Sequence, residues 1–210
     1  MKPNEEVAIR RVPQQSRSRQ KVTNVLDTAM RLFQESGLDA VSMREIARES
    51  GLPIATVYHY FPNKQSIVRH IWESHISAVQ GLLQTELAAL LDDRSPQTVQ
   101  RVIGHIVDSI ADSHKRNPAF VEIRRCVDAT PDLRRLNLEN TLCVADLIKQ
   151  VIVGVNPDAD ESAVANYAII ATEAASSTVK LGQQLPTAQR DELYTSLKSF
   201  LLHFFKSLSE

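Results

Sequence analysis

The sequence predicts an all-α fold. Three observations carry this: apolar residues recur at helical spacing along most of the 210 residues, aromatic residues are only 5% with six glycines, and capping side chains stand directly before several prolines. About nine helices are expected. Residues 1–16 read as a polar and basic arm, 17–63 as a three-helix head and 64–210 as a larger helical body. With 43% hydrophobic residues the chain can bury one or two cores.

The arm shows no helical period. Two readings stand for its basic run, Arg10, Arg11, Arg17, Arg19 and Lys21: a segment lying against phosphate or entering a minor groove, or a solvated tail. From Ser18 to Ser36, Val22, Val25, Leu26, Ala29, Met30 and Phe33 form one apolar stripe that Gly37 closes. Met30 and Phe33 are expected in the core of the head.

The head is organised around Ser42 to Phe61. Ser42 with Glu45 is a capping box that starts a short helix at Met43, with Val41 and Ile46 placed to staple across it. Gly51 ends that helix because glycine accepts the left-handed conformation of a sharp exit. Pro53 is expected to preset the first turn of a second short helix running through Tyr58 into Tyr60 and Phe61. Two short helices joined by a turn with a glycine are the arrangement that lays a second helix in a DNA major groove. The outward candidates on it are Pro53, Ile54, Ala55, Thr56, Tyr58 and His59. Thr56 can bond a base edge or a phosphate, Tyr58 and His59 can reach phosphates, and Ile54 or Ala55 can touch a thymine methyl. Ser42 and Arg44, at the start of the first helix of the pair, Lys64, and Arg17 and Arg19 of the arm complete the candidate DNA contacts. Val57, Tyr60 and Phe61 are expected to pack inward.

Net charge is −1, but it is uneven. Through residue 70, eleven Lys and Arg stand against seven Asp and Glu, so a basic head sits on an acidic body. That puts the attraction for phosphate where the helix pair is.

The run Thr56-Val57-Tyr58-His59-Tyr60-Phe61-Pro62-Asn63-Lys64, arriving after Ala47 and Gly51, resembles the N-terminal signature of TetR/AcrR-type transcriptional regulators. The match covers roughly Arg17 to Ile71. The resemblance implies a helical homodimer whose C-terminal part binds a small molecule and thereby loosens DNA binding. It also implies phosphate contacts from Ser42 and Lys64. Where the family commonly has a hydroxyl residue capping the second helix, this chain has Pro53, which removes one expected phosphate contact.

Asn63 is expected to cap a long helix from Lys64 to about Leu91, carrying Ile67, Val68, Ile71, Trp72, Ile76, Val79, Leu82 and Leu83. Ser95-Pro96, Asn117-Pro118, Thr130-Pro131 and Asn156-Pro157 announce four further helices, and Pro186-Thr187 a fifth from about Ala188. The segment Ala163 to Val179 carries a single charge, Glu173, among small residues, and the last helix has a wide apolar face. Small residues allow close approach and large ones supply area, so Ala168, Ala171 and Ala175 with Leu197, Phe200, Leu201 and Phe204 are read as a dimer interface. A two-fold dimer would place its reading helices about 34–36 Å apart and call for palindromic DNA.

Candidate ligand-pocket residues are Trp72, His105, Cys143, Tyr167 and Glu173, polar or aromatic groups that interrupt apolar surfaces. Each has a structural alternative: Trp72 packed at a junction, His105 solvated beside Asp108 and Asp112, Glu173 paired within the protein. Ile, Leu and Val in quantity suit an apolar or amphipathic effector. Cys126 and Cys143 have no metal-ligand spacing and are read as two free core thiols, with a redox switch as the alternative. No Gly-rich phosphate loop, paired metal ligands or nucleophile beside a histidine motif is found, so neither an enzyme nor a cofactor or metal protein is expected. The polar start and the lack of an apolar run near ~18 residues predict a cytoplasmic protein that does not cross a membrane. With the resemblance, the reading is a homodimeric DNA-binding transcriptional regulator, a repressor released from a palindromic operator by a ligand. An effector-independent DNA-binding protein acting through protein partners is the alternative.

Overall fold

The computed structural model describes residues Ser16 to Ser209. The arm over residues 1–16 falls outside the described residues but for Ser16, as does the side chain of Arg17. Among the described residues there are nine α-helices and no strand: α1 Ser16–Ser36, α2 Met43–Glu49, α3 Ile54–Tyr60, α4 Lys64–Asp92, α5 Pro96–Arg116, α6 Phe120–Ala129, α7 Pro131–Val155, α8 Glu161–Gly182 and α9 Thr187–Ser209. The all-α expectation holds.

The chain divides into two compact units. The first holds residues up to Ile76 together with Asn117–Asn137, and the second holds Ser77–Arg116 and Leu138–Glu210. The core of the first is built on Val25, Ala29 and Phe33 of α1, Met43 and Ile46 of α2, Val57 and Tyr60 of α3, and Ile67, Val68 and Ile71 of α4. Ile123, Val127 and Leu133 of α6 and α7 close it. Phe33 and Phe61 have no exposed surface at all. Met30, expected in this core, packs against it half-buried.

The caps explain the boundaries. Ser42 Oγ accepts the amide of Glu45, and Gly37 and Gly51 adopt φ of 80° and 67°, the left-handed region in which a Cβ is strained. Asn63 Oδ1 accepts the Ser66 amide at 2.8 Å at the start of α4, and Ser95 Oγ accepts the Thr98 amide at the start of α5. Two announced starts are displaced. Asn117-Pro118 opens a turn, and α6 begins only at Phe120. Asn156 spends its side chain on Asp158 N and on the carbonyl of Leu208, so α8 waits for Asp160, whose carboxylate accepts from Ser162 and Ala163.

The second unit has two clusters. Leu83, Leu87 and Leu90 of α4 pack with Val99 and Val102 of α5 and Val144 and Val151 of α7. Val107 and Ala111 of α5 pack with Val179 of α8 and with Tyr194 and Leu197 of α9. Here Tyr194 lies directly over buried Gly182, and its hydroxyl donates to Val179 O at 3.0 Å. A Cβ at position 182 would meet the Tyr194 ring at 2.4 Å. Gly182→Ala should therefore cost about 1–3 kcal/mol through forced displacement of that ring. Gly104→Ala, within α5 and facing open space, should instead stabilise by up to about 1 kcal/mol. Denaturant midpoints of the two variants against wild type check both signs.

Candidate nucleic-acid interface

Helices α2 and α3 meet through a turn whose backbone is internally satisfied: Gly51 N donates to Arg48 O and Leu52 N to Ala47 O, both at 3.1 Å. Buried Ser50 returns its hydroxyl to Ala47 O, and Asn24 of α1 donates to Ser50 O at 2.8 Å. The end of α2 is thereby tied to α1. Asn24 was not singled out in the sequence, because nothing local marks its partner 26 residues away.

Helix α3 is held by Val57 and Tyr60, both buried, with Phe61 beyond it. Its period then leaves Ile54, Ala55, Tyr58 and His59 exposed and Thr56 half-buried, with Ile54 38% and Tyr58 43% exposed. The His59 ring meets the edge of Tyr60 at 5.1 Å. Pro53 is exposed and occupies the cap position rather than the first helical residue: its φ and ψ are −54° and 137°, and its carbonyl accepts from Thr56 N and Val57 N. Ser42 and Arg44 are exposed on α2. Arg19 is exposed on α1.

Lys64, a candidate phosphate contact, lies half-buried at the start of α4. Its ammonium donates to the carbonyl oxygens of Leu38, Val41 and Asp39 at 2.5, 2.9 and 3.3 Å. Its hydrogen-bonding capacity is spent on the loop between α1 and α2. Other cations of the head are paired on its surface: Arg31 with Glu35 and Glu49, and Arg48 with Glu49. Burial, opposed by the Glu73 carboxylate, holds the His70 imidazole below its usual pKa.

Each of the five candidate pocket residues has its own surroundings. Trp72 is 4% exposed, with the Arg124 guanidinium 5.3 Å from its ring centroid and His75 at 5.3 Å. Its Nε1 is buried with no hydrogen-bond partner. His105 is exposed and pairs through Nδ1 with Glu86 at 2.8 Å. Exposed Glu173 accepts from buried Thr141 at 2.8 Å. Tyr167 is exposed and edges Phe204. Cys143 is exposed on α7 and Cys126 half-buried, so neither is a fully buried core thiol. A cleft of about 130 Å³ lies elsewhere, lined by residues that include Asp108, Asp112, Lys115, Gln183, Arg190 and Tyr194.

The candidate interface residues also separate. Ala168, Ala171 and Leu197 are buried within the chain itself, which leaves them little or no surface for a second copy. Ala175, Leu201 and Phe204 are half-buried, and Phe200 is 49% exposed. Tyr167 and Ile170, 47% and 54% exposed, stand outward on α8.

Residues 25–71 match the family of bacterial regulatory proteins of the tetR type, and residues 97–205 match the tetracyclin repressor-like C-terminal domain. The chain is 28% identical over 93 residues to the HTH-type transcriptional regulator AcrR of Shigella flexneri. It is 33% identical over 92 residues to the HTH-type transcriptional repressor KstR2 of Rhodococcus jostii. Each alignment takes in 44% of this chain, and the chain spans only 43% and 44% of those two relatives. A transcriptional regulator from Saccharomonospora viridis, solved in complex with choline, shares the fold with a TM-score of 0.65 at 16% identity, over 88% of this chain and 97% of that one. The C-terminal match alone spans more than half of the sequence, and with the helix pair before it the chain belongs to the TetR family of DNA-binding transcriptional regulators.

Proposed function

We propose that the chain is a homodimeric repressor that holds a palindromic operator and is released from it by a small apolar or amphipathic molecule. The observation that carries this reading is the division of α3: Val57 and Tyr60 anchor it, and Ile54, Ala55, Tyr58 and His59 stand outward together with Ser42 and Arg44 of α2. In this reading Thr56, Tyr58, His59, Arg44 and Ser42 meet the duplex, Ile54 or Ala55 touches a thymine methyl, and Arg17 and Arg19 follow the backbone. Residues 17–63 serve as the DNA-binding part and 64–210 as the sensing and dimerising part. The protein works by binding rather than by turnover, in the cytoplasmic compartment that holds the DNA. Among the described residues no helix is long and apolar enough to cross a membrane.

Repression is supported by the name of the Rhodococcus relative, and a small-molecule effector by the choline in the Saccharomonospora neighbour. The dimer is supported by the apolar side chains left outward on α8 and α9: Tyr167, Ile170 and Phe200, with Phe204 at their edge. A second reading is an effector-independent regulator working through protein partners.

Footprinting on fragments of the source genome at near-physiological salt tests the reading. A short protected palindrome that survives competitor DNA supports it, and diffuse protection lost on modest added salt counts against it. Addition of choline and of short-chain amphiphiles to the footprint then separates the two readings by whether protection is released. Tyr58→Ala should weaken binding about tenfold with the operator preference unchanged, because phosphate contacts position and do not specify. A changed preference in a selection from random duplexes would show that Tyr58 reads bases. Ile170→Glu should shift the protein from dimer to monomer in sedimentation velocity, since it replaces an exposed apolar side chain of α8 by a second carboxylate one turn from Glu173.

A further inference from the structure

A lysine at the first residue of a helix is in an unfavourable place. The N-terminal end of the helix dipole repels a cation there, so a positive charge at this position needs other stabilisation. In this chain Lys64 opens α4, and what stabilises it is the loop between α1 and α2. Leu38 O, Val41 O and Asp39 O accept from its Nζ at 2.5, 2.9 and 3.3 Å, three acceptors for the three N–H bonds of an ammonium. Leu38 and Val41 have buried side chains in the core of the head. Loop carbonyls of this kind must find a donor or pay a desolvation cost. The residue that follows Val41 is Ser42, whose hydroxyl caps α2.

We infer that Lys64 is a positioning residue rather than a phosphate contact: it locks the Leu38–Val41 loop and so fixes Ser42 and the start of α2 for DNA. This rests on the DNA-binding reading of the head. The clamp and a phosphate contact make opposite claims about what replaces it. A phosphate accepts Arg as readily as Lys, whereas three converging carbonyls fit a compact ammonium and not a planar guanidinium. A phosphate contact also contributes about 0.9 to the slope of log affinity against log salt, and a clamp contributes nothing to that slope directly.

The test uses the full-length protein as wild type, Lys64→Met and Lys64→Arg. Two quantities are measured: affinity for a mixed-sequence duplex across a salt series, and hydrogen exchange of the amides from Gly37 to Glu45 without DNA. The expected result is that both variants bind about tenfold more weakly at unchanged salt slope and exchange faster over that stretch. The inference is overturned if Lys64→Arg binds like wild type while Lys64→Met loses about one unit of slope, or if exchange is unchanged in both variants. Should Lys64→Met fail to fold, Lys64→Arg decides alone by the same criteria. If the wild type shows no salt-sensitive binding to DNA, the reading of the head fails, and the exchange measurement still decides whether the clamp exists.

Discussion

Helices of seven residues do not persist by themselves. Nucleation is costly, and isolated helices below about 12–15 residues are marginal in water. The two helices of the reading pair, α2 and α3, are each seven residues long, so their shape depends on burial. Met43, Ile46 and Ala47 pin one, Val57 and Tyr60 the other, against Phe33 and Phe61. The outward face is then the geometric remainder. Once Val57 and Tyr60 point into the core, a 3.6-residue period leaves 55, 58 and 59 on the opposite side, with 54 at the flank on the first residue of the helix. Which side chains can meet a duplex is decided by which ones the core takes.

The same economy runs through α4. One stripe, Trp72, Ile76, Val79, Leu83, Leu87 and Leu90, continues at helical spacing while its partners change: the first two residues belong to the core of the head and the rest pack in the second unit. In α8 the small residues are used within the chain. Ala168 and Ala171 are covered, and Gly182 makes room for Tyr194. The large apolar groups Tyr167 and Ile170 are the ones left outward. Small residues permit close approach to any neighbour, so composition alone could not say whether that neighbour was the same chain or another. Assigning Ala168, Ala171 and Leu197 to a partner followed from that ambiguity.

Much of the head was legible because its signals are local. A cap at Ser42, buried apolar residues at Val41 and Ile46 on either side of it, and glycines at 37 and 51 each act within a few residues. Signals in Asn-Pro pairs were less decisive. At Asn156 the side chain satisfies its own turn and a distant carbonyl instead of a helix start. Partners distant in sequence were not legible at all. Lys64 finds its acceptors 23 to 26 residues back, Glu173 finds Thr141 across 32 residues, and His105 finds Glu86 across 19. For Glu173 and His105 the sequence leaves both a ligand role and an internal or solvated role open, and it does not name the internal partner. A polar group on an apolar helix announces a need for a partner but not the identity of the partner.

This bears on what the basic excess of the head can do. The count of Lys and Arg through residue 70 overstates the charge that can reach a phosphate, because several of those cations are already committed, and they are committed at different strengths. Arg31 and Arg48 pair with Glu35 and Glu49 on the surface, where water and salt screen an ion pair and it is readily exchanged. Lys64 is different, since releasing it would leave loop carbonyls without a donor next to the core. The head therefore holds two kinds of committed positive charge: surface arginines held only by exposed or half-exposed carboxylates, and a lysine held by the backbone of a loop next to the core. The measured salt dependence of binding should follow the first kind alone, and the shape of the interface the second.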